Sequence, residues 1–172
     1  MSSTFQPAWL RGPIAGIQPL LQPVAQALVD ADEDVQTHVA PLTTAQIATR
    51  VGGTASVAYH VVHAIGSLDR LFTYARGEAL SETQLAALAG EKTLDVGALD
   101  GAALAATFAG AVRRAHEQLR ATSEREILET RLVGRAKLPS TTIGLLFHAA
   151  EHTARHVGQL VTTSRIVRQQ GR

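Results

Sequence analysis

A chain of 172 residues with 45% hydrophobic content is long enough to bury a core without covalent staples, and it reads as one domain spanning 1–172. Its formal net charge is +1, from 16 Lys+Arg against 15 Asp+Glu, so nothing in the balance draws it to a phosphate backbone or an anionic bilayer, and no nucleic-acid or membrane partner is expected. Cysteine is absent, which excludes disulfides and thiolate ligands, so any transition-metal site must use imidazole and carboxylate.

The opening stretch, MSSTFQPAWLRGP, has no basic segment leading into an apolar run, and nothing approaches the roughly 18 apolar residues of a membrane span. The expected setting is soluble and cytoplasmic. Ala and Leu dominate while aromatics make up only 4%, so helix should outweigh strand. The first long helix falls within 17–39, with Pro19 or Pro23 in an opening turn and Leu20, Leu21, Val24, Leu28 and Val35 spaced for one face. A short piece over 43–50 follows Pro41, and Gly52 and Gly53 break it. A second long helix runs from about Thr54 to Arg76, with Gly77 as its stop.

Ser81 and Gln84 form a capping-box pattern, so 82–89 is a brief helix inside the next connection. Asp100 caps a third long helix, about 101–122, carrying Leu104, Phe108, Val112 and Leu119 at helical spacing. The stretch EREILETRLVGRAKLP, 124–139, loses that period, and Val133-Gly134 suggests a turn or extended connector. Ser140 or Thr141 caps a last helix reaching about Arg168, ahead of a frayed QQGR tail. The fold class expected is all-α: an up-down-down-up type four-helix bundle with long connections and one or two short extra helices.

The chemistry gathers on histidine. In HAAEHTARHVGQL, His148, His152 and His156 recur every four residues and stack into one stripe, beside Glu151 and Arg155. With seven histidines in the chain, such a triplet arises by chance in roughly one sequence in a hundred. The second helix repeats the pattern: in SVAYHVVHAIGSLDRLFTYARG, His60, His63 and Ser67 share one side and Val57, Val61, Ile65, Leu68 and Phe72 another. Histidines on two facing helices are how bundle metal sites are built, and three protein ligands leave a position open for water or substrate. Solvated edges and dimer seams use histidine too, and a lone His on an amphipathic helix is usually structural, the reading given to His38 and His116. Gly66, Gly144 and Gly158 read as close-packing positions, and Arg70 with Asp69 as a surface or interhelix ion pair.

YHVVHAIGSLDRLFTYA, followed about ninety positions later by LLFHAAEHTARHVGQL, resembles the DinB-like superfamily of small four-helix bundles over most of the chain. The resemblance implies a divalent metal held by one second-helix His and the two of the last-helix H-x-x-x-H. These are His63, His152 and His156, with His60 and His148 as accessory catalytic candidates. Three imidazoles suit zinc or nickel first, then iron or manganese, and the resemblance implies an activity like that of thiol-dependent transferases using a low-molecular-weight thiol such as bacillithiol or mycothiol. A homodimer is also implied. Val157 replaces the Arg common after the last ligand, which bears on substrate anchoring.

The leading expectation is therefore a metal-dependent thiol S-transferase or hydrolase acting on a small molecule. His60 or His148 would orient a ligand or act in proton transfer, and Gln159 would bond a ligand imidazole or the substrate. The alternative is a non-catalytic, stress-associated bundle that binds metal or a small molecule, as a dimer.

Overall fold

The computed structural model describes residues 6–95, 97 and 99–170, with only the backbone of Lys92. Residues 1–5 of the opening stretch and 171–172 of the expected frayed tail lie outside the described residues. The fold is all-α apart from one small hairpin. Its helices are α1 (Gln22–His38), α2 (Thr44–Ala48), α3 (Val57–Ala75), α4 (Glu82–Gly90), α5 (Gly101–Ala121) and α6 (Thr142–Gln170).

Local chemistry sets most of these boundaries. Pro19–Leu21 form a single 3-10 turn, and Pro23 sits in the opening turn of α1, where its missing N–H costs nothing. Thr43 and Ser81 each close a capping box, with Gln46 and Gln84 respectively. α3 begins later than Thr54. The Thr54 hydroxyl is used in a turn to Val51 O at 2.7 Å, and Ser56 Oγ instead accepts the Tyr59 N–H. Gly77, at φ 79°, ends α3 in the left-handed conformation that glycine adopts without steric cost. Asp100 Oδ1 accepts the Ala103 N–H at 2.9 Å, and Thr141 Oγ1 accepts the Gly144 N–H at 3.1 Å, so each caps the helix that follows it.

The connector over 124–139 resolves into a 3-10 turn at Glu124–Glu126 and an antiparallel hairpin, β1 (Thr130–Val133) with β2 (Leu138–Thr141). The hairpin is seated on the bundle where Arg131 Nε–H donates to Ala75 O at 2.8 Å.

α3 packs against α6 and α5, and α1 packs against the same two helices. Within the α3–α6 pair, His60 meets His156 and His63 meets His152, so the two run antiparallel. α1 and α5 are antiparallel too, since Gln36 Nε2–H donates to Ala105 O while the His116 ring bonds Ala25 O near the other end. Gly101 allows α5 to start against the end of α1: a Cβ there would lie 1.9 Å from Val39 O.

The core is the expected apolar set, Leu21, Val24, Leu28 and Val35 from α1 and its entry turn, Leu104, Phe108, Val112 and Leu119 from α5. From α3 and α6 come Val57, Val61, Leu68, Phe72, Leu146 and Leu160. Each of these stabilises the fold by roughly 1.5–3 kcal/mol on burial. Leu20 is the exception: it precedes the helix, in the 3-10 turn, so the 3.6-residue period does not reach it and it is 56% exposed. Among the described residues no helix is long and apolar enough to cross a membrane.

Candidate metal centre

On α3, His60 and His63 are one turn apart, and on α6, His152 and His156 are one turn apart, so an antiparallel seam brings the two pairs together. His63, His152 and His156 each offer one ring nitrogen, and the three nitrogens lie within 4.8 Å of one another. Nε2 of His63 is 2.9 Å from Nε2 of His152, and the His63 and His156 ring centroids are 4.5 Å apart. All three rings are half-buried. His60 is buried deeper, at 5% exposure, and its Nδ1 is 2.9 Å from Nδ1 of His156. That contact leaves Nε2 as the free nitrogen of His156.

Burial governs the protonation of this cluster. It pushes His156 down to about 4, and positive charge on His63, His152, His60 and Arg155 would push the same way. His152 is lowered by burial and then by His63, His148 and Arg155, with Glu151 opposing, and His60 is lowered by burial and His63. At neutral pH His60, His152 and His156 are thus neutral imidazoles with lone pairs to give. A tetrahedral ion with bonds of about 2.0–2.1 Å needs ligand nitrogens roughly 3.3 Å apart, so a 2.9 Å pair opens by a few tenths of an ångström to accept one. The donor set and its spacing fit a divalent cation.

Around the cluster lies a contact absent from the expected site. Glu91, in the 3-10 turn after α4, is only 6% exposed; its Oε2 accepts from Nδ1 of His63 at 2.7 Å and its Oε1 accepts from Arg70 at 2.7 Å. Arg70 therefore pairs with Glu91 and not with Asp69. Adjacent residues on a helix point in different directions, and the Asp69 carboxylate instead accepts from Gln84 Nε2 at 2.6 Å. Gly66 serves this pair more than it serves helix packing: a Cβ there would sit 2.7 Å from both Arg70 and Glu91 side-chain atoms. The Tyr59 ring stacks on His63, with centroids 5.6 Å apart and planes within 7°.

The remaining candidates divide. The His148 side chain is 55% exposed; its ring lies 5.7 Å from that of His152, and its Nδ1 is 3.5 Å from Glu151 Oε2. Arg155 pairs with the same Glu151. Gln159 is exposed, and the structure gives its side chain no bond to any imidazole. A Cβ at Gly158 would meet no heavy atom of the described residues within 4 Å, so it is no close-packing position, and Gly144 lies against the hydroxyls of Ser140 and Thr141 at its own helix start. A Cβ at Gly144 would lie 3.1 and 3.0 Å from those two hydroxyl oxygens and would meet no other helix among the described residues.

A groove with a volume of about 440 Å³ lies elsewhere, between α3 and α5. Leu68, Phe72, Ala111 and Ala115 line it, with Asp69, Arg76, Arg114 and Glu117 among its charged walls. It holds no histidine.

A family model described as the DinB superfamily matches residues 27–160. The crystal structure of a conserved protein from Enterococcus faecalis is similar over 87% of this chain and 98% of that one, with a TM-score of 0.65 at 21% identity, a likeness that speaks for the fold alone. No curated protein matches the chain.

Proposed function

The chain belongs to the DinB superfamily, and from that premise we propose that it is a divalent-metal-dependent enzyme acting on a small molecule, with His63, His152 and His156 as its metal ligands. One observation carries the reading: imidazole nitrogens from two different helices converge on a common point. Three imidazoles suit zinc or nickel first and iron or manganese next, and they leave coordination positions open to a substrate. A cation held there supplies Lewis acidity that lowers the pKa of a thiol or water by several units.

The protein's own side chains supply the rest. Because the chain has no cysteine, a sulfur nucleophile has to be a low-molecular-weight thiol cosubstrate, and thiol S-transfer or hydrolysis is the reaction class proposed. His60 is buried behind His156 and bonded to it, which suits holding that ring and does not suit exchanging protons with substrate. His148 is exposed beside the cluster with Glu151 within 3.5 Å, and there it can give or take a proton. Gln159 is assigned no ligand-orienting role.

Untagged protein, purified and analysed for bound elements, tests the ligand set. About one divalent ion per chain is expected, lost in the His152→Ala, His156→Ala double variant. Stoichiometric metal retained by the double variant would remove the reading.

A further inference from the structure

We propose that Glu91 is a positioning residue for the metal centre: held by Arg70 in space that Gly66 leaves open, its carboxylate accepts the Nδ1–H of His63 and turns Nε2 of that ring toward His152 and His156. The inference rests on the metal-centre reading above.

A carboxylate paired with a guanidinium only accepts, so at 2.7 Å it requires the proton on Nδ1 of His63. The other nitrogen of a neutral ring then carries the lone pair, and it is this atom, Nε2, that lies 2.9 Å from His152. The hydrogen bond made by one imidazole nitrogen decides which nitrogen can bind a cation, and Glu91 makes that bond. Glu91 is not itself placed as a ligand, since its contact is to the nitrogen facing away from the cluster.

The fold also goes to some length to deliver this side chain. α4 buries none of its own residues, yet the turn that follows it drives a carboxylate to 6% exposure. A buried ion pair is weak support for stability, because desolvating both charges offsets most of their attraction. A third partner, His63, gives the pair something to do. Gly66 fits the same account: any side chain there would enter the volume that Arg70 Nη1 and Glu91 Oε1 occupy. α4 has a separate anchor, Gln84, which donates to Asp69 Oδ2 and Thr73 Oγ1. That anchor allows the carboxylate's effect to be separated from the seating of the segment.

The experiment titrates zinc, with a competing chelator, into the untagged full-length chain and its variants, and records the imidazole nitrogens of the metal-free proteins by long-range ¹H–¹⁵N NMR. Glu91→Ala should weaken zinc about 10–100-fold with unchanged stoichiometry, and Glu91→Gln should recover part of the loss because its amide oxygen still accepts. Gly66→Ala should weaken zinc in the same direction although alanine favours the helix, whereas Gln84→Ala should stay within about threefold of wild type. His63 should carry its proton on Nδ1 in the wild type and lose that preference in Glu91→Ala. The proposal is overturned if Glu91→Ala binds zinc within about threefold of wild type, if Gln84→Ala weakens it as much as Glu91→Ala, or if Nδ1 of His63 is bare in the wild type. Failure of the wild type to bind zinc would instead remove the metal reading, and this inference with it.

Discussion

The two seams that α3 makes with its neighbours differ in kind. Toward α5 it leaves a groove of about 440 Å³ lined by Leu68, Phe72, Ala111 and Ala115. Toward α6, His60, His63, His152 and His156 interlock, with ring nitrogens 2.9 Å apart in two pairs. An apolar concavity is a usual first guess for a site, yet chemistry needs convergent groups in the right protonation state, and of these two seams the one with α6 has them. Two of the charges beside the α5 groove are already engaged: Arg76 is bonded to Glu78 and Gln118, and Asp69 accepts from Gln84. Volume marks where the small side chains of α5 left space; convergence marks where a cation could be held.

The sharpest way to break this contrast is to remove one member of the converging set. His63→Ala takes away the only ligand candidate on α3 in the three-histidine group, so zinc affinity should fall by more than the roughly 10–100-fold typical of supporting residues. Competition calorimetry measures it, and an affinity within a few-fold of wild type would mean the α6 pair alone holds the ion. Next in size is the linkage of metal to folding. Free zinc at 100 times its dissociation constant should stabilise the wild type by about 2.7 kcal/mol, equivalent to a Tm rise of roughly 5–11 °C in a chain of this size. Calorimetry with and without chelator reads it directly, and the same rise in the His152→Ala, His156→Ala double variant would place the binding outside the α6 seam.

Sequence made one seam legible and left part of it hidden. Helices announced themselves because caps and periodicity are local: Thr43 with Gln46, Ser81 with Gln84, and Asp100 ahead of α5 all act within four residues. The hairpin was legible only as a turn or extended connector at Val133-Gly134, since β1 alternates between exposed and half-buried positions, β2 runs from two exposed to two half-buried ones, and neither writes an apolar stripe. The convergence of His63 with His152 and His156 was implied by family likeness, and the spacing within each helix agrees with it. Glu91 was invisible for a physical reason. In GEKT it looks like a solvated charge, and only the path of the chain through α4 brings it back across 28 residues to His63. Arg70 was misread the same way, because its nearest acid in sequence, Asp69, points elsewhere, while its partner in space lies 21 residues on.

Acid separates the two seams by a smaller effect. In the metal-free protein His60, His152 and His156 all have folded-state values below the ordinary histidine range near 6.5. Between the unfolded and folded values the unfolded chain binds more protons, so stability rises with pH there and is lost on acidification. Resistance to unfolding by denaturant should therefore weaken progressively from about pH 6.5 toward about 4, where His156 finally titrates in the folded state. The slope should shrink in a His60→Gln, His156→Gln variant; an unchanged slope would assign it to groups outside the α6 seam.

The smallest effect tests the empty seam. Ala115 is 4% exposed on the wall of the α5 groove, and Ala64 on α3 is fully buried and does not line that groove. Replacing either by Leu adds the same three carbons. At Ala64 they have nowhere to go, and overpacking should cost about 1–3 kcal/mol. At Ala115 they can extend into open volume and cover Leu68 and Phe72, so burial offsets the lost rotamer freedom and stability should stay within about 1 kcal/mol of wild type. Zinc affinity should not change in Ala115→Leu, because the groove and the histidines lie on opposite partners of α3. A stability loss at Ala115 matching that at Ala64 would mean the groove closes in solution, and the contrast between an open seam and an interlocked one would have to be redrawn.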